Sequence, residues 1–168
     1  MASTLRGVIE GYYADVDFVY HGFLRAPDGT FTTFDAPGAG TLIFEGTIAS
    51  RINPAGAIAG YYSDATFVAH GFLRAKDGTF TTFDAPAAGT GFAQGTYVTM
   101  RGLNPAGAVA GTYVDAGRRR KLWYRRRWQS WDPGGNIFAN HRCHFWELDP
   151  KHNSGPDCAV IPNISRGT

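Results

Sequence analysis

Cysteine is nearly missing from this chain: 2 in 168 residues, Cys143 and Cys158. No disulfide framework can therefore staple anything before residue 143, and a cysteine-free stretch suits either side of a membrane. Charge is sparse as well, 18% against 43% hydrophobic, a balance that excludes disorder throughout. No apolar run approaches the ~20 residues of a membrane helix. The opening Met1-Ala2-Ser3-Thr4-Leu5-Arg6 lacks the apolar stretch of a secretory signal. No helical period of useful length occurs in residues 1–115. No Gly-x-Ser-x-Gly elbow, phosphate loop or dinucleotide fingerprint is found, so no cofactor is expected.

What the chain has in abundance is itself. Residues 7–41 and 56–90 align without a gap at an offset of 49, with 27 of 35 positions identical. A third copy begins at Asn104-Pro105-Ala106-Gly107 at an offset of 51 and stops matching after Asp115. A period near 50 residues signals a unit that cannot bury its apolar faces alone and stacks on its neighbours. Gly, at 22 residues, and aromatics, at 14%, suit turn-rich β structure.

The unit from Gly46 to Pro86 reads as four strands separated by turn signals. Asn53-Pro54-Ala55-Gly56, Ser63-Asp64-Ala65 and Lys76-Asp77-Gly78 punctuate three β-leaning runs and a fourth, Thr79-Phe80-Thr81-Thr82-Phe83. Phe80 and Phe83 sit three apart and so point to opposite faces of a pleated strand, as a sheet sandwiched between neighbours requires. The expected fold is all-β: tandem four-stranded units of ~50 residues, forming a partial propeller or an open stack of antiparallel sheets. Strands are predicted near 7–13, 17–25, 30–35, 46–52, 56–62, 67–74, 79–84, 96–102 and 107–114. The predicted core is Phe23, Leu24, Phe31, Phe34, Ile58, Phe72, Leu73, Phe80 and Phe83. Propellers typically close with 4–8 units, so further units or a homo-oligomer are expected to complete the arrangement.

The run from Ile52 to Tyr62, with His70-Gly71-Phe72-Leu73 and Asp77-Gly78-Thr79, resembles the bacterial extracellular repeats of the HAF type. Those are named for His-Ala-Phe, whereas Gly22 and Gly71 stand in the middle here. The resemblance covers residues 7–115. It implies a propeller-like fold and a location outside the cell or on its surface, and it transfers no catalytic residue.

After Gly117 the composition changes. Residues 1–117 hold 6 Lys/Arg and 10 Asp/Glu; residues 118–168 hold 10 and 4, together with all four Trp and both Cys. The chain therefore divides into repeats over 1–117 and a basic tail over 118–168. The tail is either a solvated segment or the product of a slipped reading frame. A one-base shift permits Asp-Gly at Arg127-Trp128-Gln129, close to where the third copy would place it. Either way the tail is expected to add little to the fold.

Each candidate site has a plainer role beside its functional one. Arg118, Arg119, Arg120, Lys121, Arg125, Arg126 and Arg127, interleaved with Trp123, Tyr124 and Trp128, could neutralise phosphates and stack on bases, which gives a nucleic-acid reading. The plainer role is a solvated charge run. His141, Cys143, His144 and Cys158 match no zinc spacing, so no metal site is assigned. His21 and His70 recur, which argues for a structural hydrogen bond rather than catalysis. Asp15, Asp28, Asp35, Asp64, Asp77, Asp84 and Asp115 all flank turns, where Asp caps its own backbone. The leading function is a non-enzymatic extracellular module that is a scaffold or binding surface for glycan or protein. Tyr12, Tyr13, Tyr61 and Tyr62 are its candidate contacts. The rival is a fragment of a carbohydrate-active enzyme, favoured if one of the single-copy carboxylates Glu10, Asp17 or Glu45 lines a central funnel.

Overall fold

The computed structural model describes residues 7–125, and this part of the chain is all β. Ten strands run β1 (Ile9–Ala14), β2 (Tyr20–Arg25), β3 (Phe31–Phe34), β4 (Gly46–Ile52), β5 (Ile58–Ser63), β6 (Ala69–Arg74), β7 (Phe80–Phe83), β8 (Gly95–Leu103), β9 (Val109–Val114) and β10 (Arg120–Arg125). No helix occurs among the described residues, and the sheet does not close on itself. Its order is β1-β2-β4-β5-β6-β8-β9-β10, with β3 on β2 and β7 on β6.

Turn chemistry sets each antiparallel pairing. Asn53 Oδ1 accepts the backbone N–H groups of Ala55 and Ala57 at 3.0 Å each, and Gly56 takes φ 83° to finish the turn. Asn104 and Gly107 repeat this between β8 and β9. Asp15 Oδ1 accepts from Asp17 and Val19, and Asp64 Oδ1 accepts from Thr66 and Val68, closing the β1–β2 and β5–β6 turns. Asp28 and Asp77 do the same ahead of β3 and β7. The turn-capping role of the recurring Asp residues is thus met at each of these positions.

Successive units meet at one parallel contact each, Tyr20 with Gly46 and Ala69 with Gly95. From there the sheets part and stack face to face. Buried Thr47 Oγ1 accepts from the Ala36 backbone at 2.9 Å, and Thr96 Oγ1 accepts from Ala85 at 2.8 Å, tying each outgoing loop to the next sheet.

The core consists of two versions of one cluster. The first joins Phe34, Ala36, Ala49, Ile52, Ile58, Tyr62 and Phe72. The second joins Ala59, Ala85, Val98, Leu103, Val109, Tyr113 and Trp123, with Phe83 against it. Phe34 corresponds to Phe83, Ile58 to Val109, Tyr62 to Tyr113 and Phe72 to Trp123. Aromatic rings cover glycines on the neighbouring strand in both. A Cβ on Gly60 would stand 2.7 Å from the Phe72 ring, and one on Gly71 would collide with Phe83, so glycine lets the rings lie flat on the sheet. The offset grows from 49 to 51 inside β8. Its register with β9 breaks between Val98 and Leu103, whereas β4 breaks only between Ala49 and Arg51.

Two expectations need correction. Phe31 is 61% exposed, although its counterpart Phe80 packs on Phe34 and Phe72 at ring distances of 6.0 and 5.6 Å. The first sheet has no neighbour on that face among the described residues, and the Phe31 ring lies 5.7 Å from that of Phe23 and 5.9 Å from the Arg25 guanidinium. Phe34, Ile58 and Phe72 are buried, while Phe23, Leu24, Leu73, Phe80 and Phe83 are half-buried. The second correction concerns the third unit, which continues past Gly117. β10 pairs with β9 from Arg120 to Arg125, and Trp123 is buried in the register position of Phe72. Its ring lies on Gly111, and its Nε1–H donates to the Thr112 carbonyl at 3.1 Å. Lys121-Leu122-Trp123-Tyr124 stands where the second unit has His70-Gly71-Phe72-Leu73, and that change of residues hid the match.

Candidate ligand-binding surface

Neighbouring tyrosines on a strand point to opposite faces, and the two recurring Tyr-Tyr pairs use both. Tyr62 is buried and stacks on His70 at 5.1 Å, so its role is packing rather than exposed contact. Tyr13 is 42% exposed and lies 5.3 Å from the His21 ring. Each histidine is held by two carboxylates. His21 Nδ1 lies 2.9 Å from Asp35 and Nε2 lies 3.3 Å from Asp15; His70 makes the same contacts to Asp84 at 3.0 Å and Asp64 at 3.3 Å. Burial alone would lower the His21 pKa, but the bonds to Asp35 and Asp15 outweigh it and raise it. The Asp15 pKa is lowered, first by the Val19 backbone bond. These are structural ties between turns, the role expected for the recurring histidines.

The other member of each pair builds a surface. Tyr12 and Tyr20 meet edge to face at 5.8 Å, and Tyr61 meets Tyr97 of the next unit at 5.1 Å. The Arg120 guanidinium lies 5.3 Å above the Tyr97 ring, a cation–π contact that closes the row. Tyr12 is 42% exposed and Tyr20, Tyr61 and Tyr97 are half-buried. Burial pushes the Tyr61 hydroxyl up to about 12, and the charges of Tyr97, Tyr12 and Tyr20 add to the shift while Arg120 opposes it. Five side chains from three successive units thus share one electrostatic environment. The row offers flat apolar faces, phenolic hydroxyls that donate and accept, and a planar cation that donates only.

Beside Tyr12 the row deepens into a cleft of about 220 Å³ lined by Glu10, Gly11, Tyr12, Phe23, Ala49, Ser50 and Met100. Glu10 shares a strand face with Tyr12 and is buried. Burial raises its pKa, opposed by hydrogen bonding from its own backbone and that of Ile52. Its Oε2 has no hydrogen-bond partner.

The remaining candidates disperse. Arg118, Arg119 and Arg120 are exposed and Lys121 is half-buried, but Trp123 is in the core and cannot stack on a base. Arg125 lies on β10. Arg126, Arg127 and Trp128, with His141, Cys143, His144 and Cys158, lie outside the described residues. Among the described residues no group of three or more His, Cys, Asp or Glu could hold a metal, and no helix is long and apolar enough to cross a membrane. Tyr20 and Tyr97 lie outside the recurring motifs. Their signal was departure from the repeat: Tyr20 stands where the second copy has Ala69, and Tyr97 where it has Ile48.

No family model, no curated protein and no solved structure matches this chain.

Proposed function

We propose that this chain is a non-enzymatic extracellular binding module that holds glycan on the row Tyr12, Tyr20, Tyr61, Tyr97 and Arg120. The observation that carries the reading is a pair of aromatic groups, Tyr12 with Tyr20 and Tyr61 with Tyr97 and Arg120, near enough that the first pair acts electrostatically on Tyr61. Sugar rings present a hydrophobic face of C–H groups and a rim of hydroxyls. Aromatic faces suit the first, and phenol and guanidinium groups suit the second. The extracellular setting rests on the HAF-type motifs. The test is affinity electrophoresis or calorimetry with a panel of soluble polysaccharides. Tyr97→Ala and Tyr12→Ala should each weaken binding about tenfold, whereas Phe31→Ala, on the opposite face of the first sheet, should not. Equal effects from all three would defeat the reading.

Glu10 favours a second reading, a carbohydrate-active enzyme fragment in which this single-copy carboxyl is the proton donor. Its raised pKa and its place in a cleft suit that role. Hydrolysis of a chromogenic glycoside that is lost in Glu10→Gln would decide for it.

A further inference from the structure

We propose that the Glu10 cleft is a subsite for the ammonium group of an amino sugar. This rests on the glycan reading above and deepens it. Three observations meet there. First, Glu10 breaks the repeat: the equivalent positions are Ala59, fully buried between sheets, and Ala110. Placing a carboxyl where the fold elsewhere places a methyl group takes a charge out of water, a cost that a partner must offset. Second, that partner is missing on one side, since Oε2 is buried and unbonded while Arg51 is only the weakest influence on the group. Third, Met100, 68% exposed, lines the same cleft and lies in the stretch between Val98 and Leu103 where β8 breaks register with β9. Two independent departures from the repeat, on β1 and β8, thus line one cleft.

The cleft selects the ligand by size and chemistry. At about 220 Å³ it is smaller than the ~300–1,000 Å³ of drug-sized pockets, so it admits one sugar-sized group. The unbonded carboxyl oxygen of Glu10, in a cleft that Tyr12 and Phe23 also line, favours a donor that is also a cation, through a charge-assisted hydrogen bond and ring contact together. The pyranose body would lie on Tyr12 and continue along the tyrosine row.

The test is calorimetric titration of the full chain with the β-1,4 tetramer of glucosamine and with its fully N-acetylated counterpart. The wild type should bind the free-amine tetramer about ten- to a hundredfold more tightly, the range of a charge-assisted hydrogen bond. Glu10→Gln should bring the two tetramers within about twofold. Glu10→Ala should do the same, and it installs the residue that the other two units already accommodate. Tyr97→Ala should weaken both and leave their ratio unchanged. Equal wild-type affinities, or a preference that survives Glu10→Gln, would overturn the subsite and leave the glycan surface standing. Binding of propylammonium at Glu10 with no sugar bound would overturn the amino-sugar assignment. Failure of both tetramers would overturn it too, and failure of the whole polysaccharide panel would take the glycan reading with it.

Discussion

Phe72→Ala and Phe23→Ala remove the same side chain from the same repeat position, and the structure predicts unequal costs. Phe72 is fully buried, its ring on Gly60 and 6.5 and 5.6 Å from the rings of Phe34 and Phe80. Its removal loses the transfer free energy of the ring and leaves a cavity that neighbouring sheets cannot fill, about 3–5 kcal/mol. Phe23 covers Gly11 in the same way, but it is half-buried and its ring partner Phe31 is exposed. Half of the ~1.5–3 kcal/mol for a fully buried side chain, with no enclosed cavity, gives about 0.75–1.5 kcal/mol. Urea unfolding followed by far-ultraviolet circular dichroism separates them. With a slope near ~2 kcal/mol per molar, Phe72→Ala should lower the midpoint by roughly 2 M and Phe23→Ala by less than about 1 M. Equal shifts would show that stacking of sheet on sheet does not hold this fold together.

Trp123→Ala should cost about 3–5 kcal/mol, because Trp123 is the third unit's Phe72, while exposed Leu122→Ala should stay within about 0.5 kcal/mol; equal costs would remove β10 from the fold. A chain ending at Asp115 should therefore lose cooperative unfolding of its third unit, and one ending at Arg125 should keep it. Gly71→Ala drives a Cβ into the Phe83 ring and should cost about 1–3 kcal/mol, with coupling of about 0.5–3 kcal/mol to Phe83→Ala in a double-mutant cycle; strict additivity would contradict the ring-on-glycine contact. The His21 pKa is raised above 6.5, so its contribution is complete below about that pH and is lost as pH climbs through the raised value; that of Asp15 is lowered below 3.8, so its contribution is lost in acid. The thermal advantage of the wild type over His21→Gln should thus be larger at pH 5.5 than at pH 8.5, and the reverse order would refute the tie.

The parts of the fold legible in the sequence are those that the repeat states twice. Asn53, Asp64 and Asp77 announce their turns because an Asx side chain bonding its own backbone is a local event, complete within five residues. Phe34, Ile58 and Phe72 announce the core because both faces of a sandwiched sheet must be apolar. Exposure of Phe31 was not legible, since burial depends on whether a neighbouring sheet exists, and the residues within a unit are the same with or without one. β10 was not legible for a different reason. Trp123 meets the same packing need as Phe72 with another side chain, and Lys121 and Leu122 replace the His70 and Gly71 that mark the strand in the second unit. A search for identity discards such a match, whereas a search for ring-over-glycine pairing, Trp123 on Gly111, retains it.

The candidate surface was half legible, and the division follows the same line. Tyr12 and Tyr61 were found because they recur, but recurrence marks what every unit needs for packing, and Tyr62 recurs for that reason alone. What distinguishes one unit from another is what the fold does not demand. Glu10, Tyr20, Tyr97, Met100 and Arg120 all stand where another copy carries a different residue or none. A stack of sheets would tolerate such departures anywhere on its surface. Here they assemble on the side where β1 lies against β4 and β4 against β8, in one row and its adjoining cleft. Packing gives no reason for that convergence, because the second unit fills the equivalent positions with Ala59, Ala69 and Ile48 and packs without them. The proposed glycan, if it spans three units, would meet each unit at a different point along its length and require a different side chain there.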